Sequence, residues 1–207
     1  NADSMQIYKE LKILTARPFK KNFKKISHHL YGFQKSNKYF STGDWLKIVT
    51  KKIIEIRKRN KIPILVGGTG LYFKALTEGL VEITSIPPKL RNKIGLLQKS
   101  IGQKKFYKKL LKIDPKVAKH INSNDAQRSI RAYEVKLFTN RSIIEWFKNT
   151  KSNFKKREFL KLYIDYPRQE LITKINLRTN KMLDMGAILE VKKFLKLGIP
   201  KNKSISK

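Results

Sequence analysis

The sequence predicts an α/β protein with a parallel-sheet core and an inserted all-helical subdomain, and three observations carry that expectation. Residues 62–66 (Ile-Pro-Ile-Leu-Val) are apolar on both faces, as a central parallel strand covered by helices requires. The run then breaks into Gly67-Gly68-Thr69-Gly70 and resumes as a helical pattern, the strand-turn-helix join where α/β proteins collect ligands. From Pro88 to Thr150 the pattern turns wholly helical, with lysine-rich faces. The expected division is 1–87 for the first part of the core, 88–150 for the insert, and 151–207 for the return to the core.

Each element follows from local signals. Ser41 and Asp44 form a capping-box pattern, and Trp45, Ile48, Val49, Ile53 and Ile56 recur at helical spacing, so a helix runs from about Thr42 to Arg59. Asn60 and Lys61 lead from it into the 62–66 strand. After the glycine turn, Leu71 to Leu80 reads as helix stopped near Gly79, and Pro87-Pro88 marks the next boundary. Within the insert, Gly102, Asp114-Pro115 and residues 122–125 separate short amphipathic helices; Asn124 or Asp125 caps one of them and Ser142 caps another. Phe159 to Ile164 alternates as a strand does, and Pro167 sits where a helix accepts its first residue. The last helix spans about Arg168 to Leu195, with a break or bend at Gly186.

Composition bounds the function. The 48 Lys plus Arg against 15 Asp plus Glu give a formal charge of +33, more than solubility asks for, and point to a polyanionic partner, nucleic acid first. Abundant Lys, Ile and Asn also suit a lysine-inflating, AT-rich genome. With no cysteine, disulfides and thiolate metal sites are excluded. No apolar run approaches the roughly 18 residues a membrane helix needs, so a soluble, cytoplasmic protein with no membrane partner is expected. The chain opens on Asn1 and closes on Lys207 without a helix terminator, and is expected to be a piece of something longer.

Taken singly, the candidate site residues have ordinary explanations. Asp3-Ser4 could be a turn or a cap, and Thr69 could cap the helix behind it. Gln127, Arg128 and Arg131 share one helix surface, because spacings of three and four residues coincide there, and could form a solvated basic face. Gly67, Gly68 and Gly70 let a backbone approach a ligand closely, with Thr69 as the one side-chain hydroxyl of the turn.

Together and in order, these segments resemble the tRNA dimethylallyltransferases, also called tRNA isopentenyltransferases. The resemblance rests on Asn1-Ala2-Asp3-Ser4-Met5-Gln6-Ile7-Tyr8, His28-His29-Leu30, Ser41 to Trp45, the Gly67 turn, Asn124 to Arg128, and Ile175 to Arg178. It implies a P-loop nucleotide-kinase-like parallel-sheet core and transfer of a dimethylallyl group, from its diphosphate with Mg2+, to the exocyclic amine of the adenosine 3′ of the anticodon. It assigns Asp3 as general base and Thr69 as the hydroxyl beside the target base. It assigns tRNA contacts to Asp3, Ser4, Met5, Gln6, Thr69, Arg91, Gln127, Arg128, Ser129, Ile130 and Arg131, and the diphosphate side to Arg178. No side chain of this chain is assigned to a metal, and His28 and His29 are read as packing residues. The expected partners are the tRNA anticodon stem-loop and dimethylallyl diphosphate, acting on a monomer.

The chemistry suits those residue types. An adenine amine is a weak nucleophile and needs a proton acceptor as its bond to carbon forms. A planar guanidinium suits paired phosphate oxygens, and a base in a structured loop must be flipped out of its stack. One departure stands out: the Gly-x-x-x-x-Gly-Lys-Ser/Thr segment with which the family opens is absent from this sequence. The rival readings are an adenylate isopentenyltransferase acting on free nucleotides, a non-catalytic RNA-binding fragment, and a small-molecule kinase, the last disfavoured because no Walker lysine is present.

Overall fold

The computed structural model describes residues 1–19, 23, 26–83, 85–148 and 150–199. It divides into two compact units, one of Asn1–Thr77 with Asn153–Lys207 and one of Glu78–Ser152. The segment from Lys201 to Lys207, read from sequence as a lead-in to a further region, lies outside the described residues.

In the first unit, helix α1 spans Thr42–Arg57. The expected capping box forms: Ser41 Oγ accepts from the Asp44 amide, and Asp44 Oδ2 accepts from the Ser41 amide at 2.9 Å. Trp45, Val49 and Ile53 turn one face inward. Helix α2, Gly70–Glu78, buries Tyr72 and Leu76 against them, with the Trp45 and Tyr72 rings stacked 4.2 Å apart. Ala2 completes this core. A neighbouring cluster gathers Ile7, Tyr8, Leu11 and Phe194.

The C-terminal stretch breaks at Gly186, as expected. It forms α7, Arg168–Asp184, and α8, Ala187–Leu195, because Gly186 takes φ +90 and breaks the hydrogen-bond ladder. Pro167 is the cap of α7 rather than its first residue. The Glu190 carboxylate of α8 reaches back across the sequence and accepts from the backbone amides of Lys12, Ile13 and Leu14 at 2.8–3.0 Å.

The expected parallel sheet is not seen among the described residues. Among the described residues no β-ladder forms, and the one β pairing is an isolated parallel bridge between Tyr8 and Gln34. Residues 62–66 run without a ladder; Ala2 donates to the Val66 carbonyl at 2.8 Å. Ile62 is 86% exposed and Ile64 79%, and Leu160, Leu162 and Ile164 are equally open. The physical reason is that a helix closes its hydrogen bonds within one segment, whereas a strand needs neighbours along both edges. Helices thus form wherever the sequence codes them, and these two apolar runs keep the pattern of strands without the pairing.

The second unit is helical, as expected. It contains α3 (Pro88–Ile101), α4 (Gln103–Ile113), a 3-10 turn (Pro115–Lys119), α5 (Ala126–Thr139) and α6 (Ile143–Phe147). Gly102, at φ +76, separates α3 from α4. Asp125 caps α5 by accepting from the Arg128 amide, and Ser142 caps α6. Phe106, Leu110, Val117, Ala132 and Val135 are fully buried at the centre.

Candidate active site and RNA-facing surface

The first unit brings the N-terminal segment onto the glycine turn. Thr69 donates its amide to the Ala2 carbonyl at 3.2 Å, and its Oγ1 accepts from the Ser4 amide at 2.9 Å while meeting Ser4 Oγ at 3.2 Å. Gly67 explains how the backbones come so close: a Cβ there would lie 2.3 Å from the carbonyl carbon and oxygen of Ala2. Nothing lies within 4 Å of a Cβ at Gly68 or Gly70, so the close approach needs one glycine of the three. Asp3, assigned together with Thr69 from sequence, lies between Ala2 and Ser4, the two residues that hydrogen-bond Thr69.

Asp3 is held from both sides. Its amide donates to Asn1 Oδ1 at 2.9 Å, and its Oδ1 accepts from the Met5 amide at 2.7 Å. Among the described residues Oδ2 has no hydrogen-bond partner, leaving a carboxylate that is oriented yet able to accept from a ligand. Its negative charge reaches two phenols. Burial, then Tyr8 and Asp3, push Tyr72 up to about 12, and burial followed by Asp3 raises Tyr31.

Tyr31 is a phenol within electrostatic reach of Asp3 that sequence reasoning missed. Its only signal was position, directly after His28-His29-Leu30, a run read as packing. His28 does pack, stacking on Phe23 at 4.6 Å and meeting Tyr31 at 5.9 Å. Gln6 turns away from an open role: its Nε2 donates to the Thr15 and Ala16 carbonyls at 2.9 and 3.2 Å. That bracing ties residues 3–6 to the loop that Glu190 holds.

Arg178 is exposed on α7, in the same unit. No group of three His, Asp or Glu side chains gathers among the described residues in a way that could hold a metal.

In the second unit, the run from Gln127 to Arg131 lies in the first half of α5. Gln127 and Arg128 are exposed, and Arg128 Nε lies 3.3 Å from Asp125. Ser129 faces inward instead: it is fully buried, with its hydroxyl donating to the Asp125 carbonyl and accepting from Gln103. Ile130 packs against the helical core. The helical period explains the split, since positions 127, 128 and 131 fall on the outer surface and 129 on the inner one. Arg91, on α3, meets the same helix through Glu134, as does Arg131.

Comparison with known proteins shows the family. Residues 6–207 match the family model described as IPP transferase. The chain belongs to the IPP transferase family. Among relatives of this family, a tRNA dimethylallyltransferase of Pelagibacter ubique (strain HTCC1062) is 61% identical over 207 residues, covering 100% of this chain and 66% of its own length. Two solved structures share the fold. A eukaryotic dimethylallyltransferase acting on tRNA aligns at TM-score 0.80 and 29% identity, over 95% of this chain and 49% of that one. The full-length tRNA isopentenylpyrophosphate transferase of Bacillus halodurans aligns at TM-score 0.60 and 30% identity, over 99% and 63%. The chain thus spans about two thirds of the Pelagibacter family member and about half of the eukaryotic one.

Proposed function

We propose that this chain transfers a dimethylallyl group from dimethylallyl diphosphate to the exocyclic amine of the adenosine 3′ of the anticodon in tRNA. The carrying observation is the Asp3 carboxylate, fixed at Oδ1 and open at Oδ2 beside the Thr69 hydroxyl, in a chain whose relatives are named tRNA dimethylallyltransferases. In the reaction the amine nitrogen bonds to C1 of the dimethylallyl group as the bond from C1 to the diphosphate oxygen breaks. The amine proton passes to Asp3 Oδ2, and the diphosphate leaves as an anion. Thr69, donor and acceptor in one compact group, orients the amine. Arg178 stabilises the charge on the departing diphosphate.

Mg2+ enters this reading as the counter-ion of the diphosphate. The described side chains do not fit a protein-held ion, and no step here runs through one. The anticodon stem-loop is bound by Ser4 and Met5 in the first unit, where Gln6 braces the segment from within, and by Arg91, Gln127, Arg128 and Arg131 in the second, with Ser129 and Ile130 supporting that run from the core side. The +33 charge favours such a partner. The reading also takes the protein as cytoplasmic and monomeric; among the described residues no helix is long and apolar enough to cross a membrane. Residues 62–66 and 159–164 are taken as strands of a P-loop nucleotide-kinase-like parallel sheet, because the first run is apolar on both faces and the second alternates as a strand does.

The test is mass spectrometry of nucleosides from unmodified tRNA incubated with the chain, Mg2+ and dimethylallyl diphosphate, beside an Asp3→Ala control. Dimethylallyl-adenosine that depends on Asp3 is the expected product. Salt-sensitive tRNA binding with no product would favour the second reading, a non-catalytic RNA binder. Inhibition by free AMP would point instead to a nucleotide substrate.

A further inference from the structure

Glu134 is an unusual residue for its place. It is 3% exposed, inside a helical unit whose surface is crowded with lysine, and a buried carboxylate is retained only where it is paired. Its two oxygens serve two different guanidinium groups. Oε2 lies 3.2 Å from Arg131 NH1, one turn away on α5, and Oε1 lies 3.5 Å from Arg91 Nε on α3. Both arginines remain about two-fifths exposed, 38% for Arg131 and 42% for Arg91. The carboxylate therefore sits behind two outward-reaching cations that come from different helices.

We infer that Glu134 is a positioning residue that sets the spacing of the Arg91 and Arg131 guanidinium groups, so that the pair engages two phosphates of a folded RNA loop and discriminates it from an unstructured strand. The inference rests on the reading that this unit binds the tRNA anticodon arm. A long arginine side chain on a helix surface samples many rotamers, and ordering it against RNA costs conformational entropy. Anchoring the inner edge of each guanidinium on one rigid, buried carboxylate removes most of that freedom before the RNA arrives. The anchor lowers the local positive charge by one, which weakens attraction to any polyanion, so its benefit is geometric rather than electrostatic.

That opposition of signs makes the inference testable on the full chain. Affinity is measured for a 17-nucleotide anticodon stem-loop and for oligouridine of the same length, at two salt concentrations, with unfolding followed by circular dichroism. Glu134→Gln keeps the shape and removes the charge. Weaker stem-loop binding with equal or stronger oligouridine binding is expected, reducing the preference by about tenfold. Arg131→Lys keeps the charge and loses the planar fork, so it should lower stem-loop affinity with oligouridine affinity unchanged. It also preserves the test should Glu134→Gln unfold the helical unit. An unchanged preference in both variants, or an equal loss for both RNAs in a folded variant, would overturn the inference while leaving the tRNA reading intact. A wild-type chain that binds both RNAs equally, or neither, would overturn both.

Discussion

Removing the Glu190 carboxylate should release the loop that Gln6 ties to residues 3–6. Three backbone amides, from Lys12, Ile13 and Leu14, point at its two oxygens at 2.8–3.0 Å. A hydrogen bond to a charged acceptor contributes about 1.5–3 kcal/mol. The Leu14 amide is exposed and can turn to water, whereas those of Lys12 and Ile13 are partly buried. Two such bonds, discounted for partial solvation, put the cost of Glu190→Ala at about 2–4 kcal/mol of local opening. Glu190→Gln keeps one acceptor but turns an amide N–H toward a donor, so it should retain roughly half of the protection. Because the chain has two units, a single global unfolding curve is the wrong assay. Native-state amide exchange at Lys12, Ile13 and Leu14 reads the clamp directly: a slope of 1.4 kcal/mol per decade makes the expected loss about 30- to 1,000-fold in protection. The Gln6 brace onto Thr15 and Ala16 should loosen with it. Unaltered exchange in Glu190→Ala, or identical behaviour of Gln and Glu at this position, would refute the reasoning.

Other outcomes follow from the same geometry. Gly67→Ala places a methyl group 2.3 Å from the Ala2 backbone and should cost about 1–3 kcal/mol while abolishing Asp3-dependent turnover; Gly68→Ala, with open space around it, should leave both unchanged. Tyr72 ionises at about 12 when folded, mainly because of its burial, and near 10 when unfolded, so its contribution to stability is complete below pH 10 and is lost as the pH climbs to about 12. Tyr72→Phe should remove the latest phase of an absorbance titration at 295 nm and shift alkaline unfolding upward. Phe106→Ala empties a fully buried site in the helical unit and should cost about 3–5 kcal/mol there, measured by native-state amide exchange of the α4 and α5 amides.

The helices were legible because their signals are local. Ser41 and Asp44, Asp125, and Ser142 each announce a helix start within four residues, and Gly186 announces a break in the same way. The runs at 62–66 and 159–164 carry strand-like patterns, but no ladder forms there among the described residues, since pairing depends on what lies alongside and not on the run itself. At the site, Asp3 and Thr69 were legible through the family motifs, while the contact of Thr69 with Ser4, and Gly67 as the one required glycine, depend on where residues 2–4 pass. Tyr31 and Glu134 left no usable trace. Their roles arise from a through-space charge and from two helices meeting, neither of which a single segment encodes.

With 48 basic residues and 15 acidic ones, carboxylates are the scarce groups in this chain, and where they are spent is informative. Asp44 and Asp125 cap helices, Glu10 holds the buried Ser36, Glu158 takes Arg57, Glu190 clamps three amides, and Glu134 fixes two arginines. Each of these is turned inward on the protein as a fastener. Asp3 is the contrast among them, because one oxygen is fixed by Met5 and the other is unspent at a partly exposed position beside a hydroxyl. Excess positive charge attracts any nucleic acid and cannot tell one from another. Selectivity and chemistry have to come from the few anions that set where the cations stand and where a proton can go, so substitutions at Glu134 and Asp3 should change what is bound and what is made far more than removal of any single surface lysine.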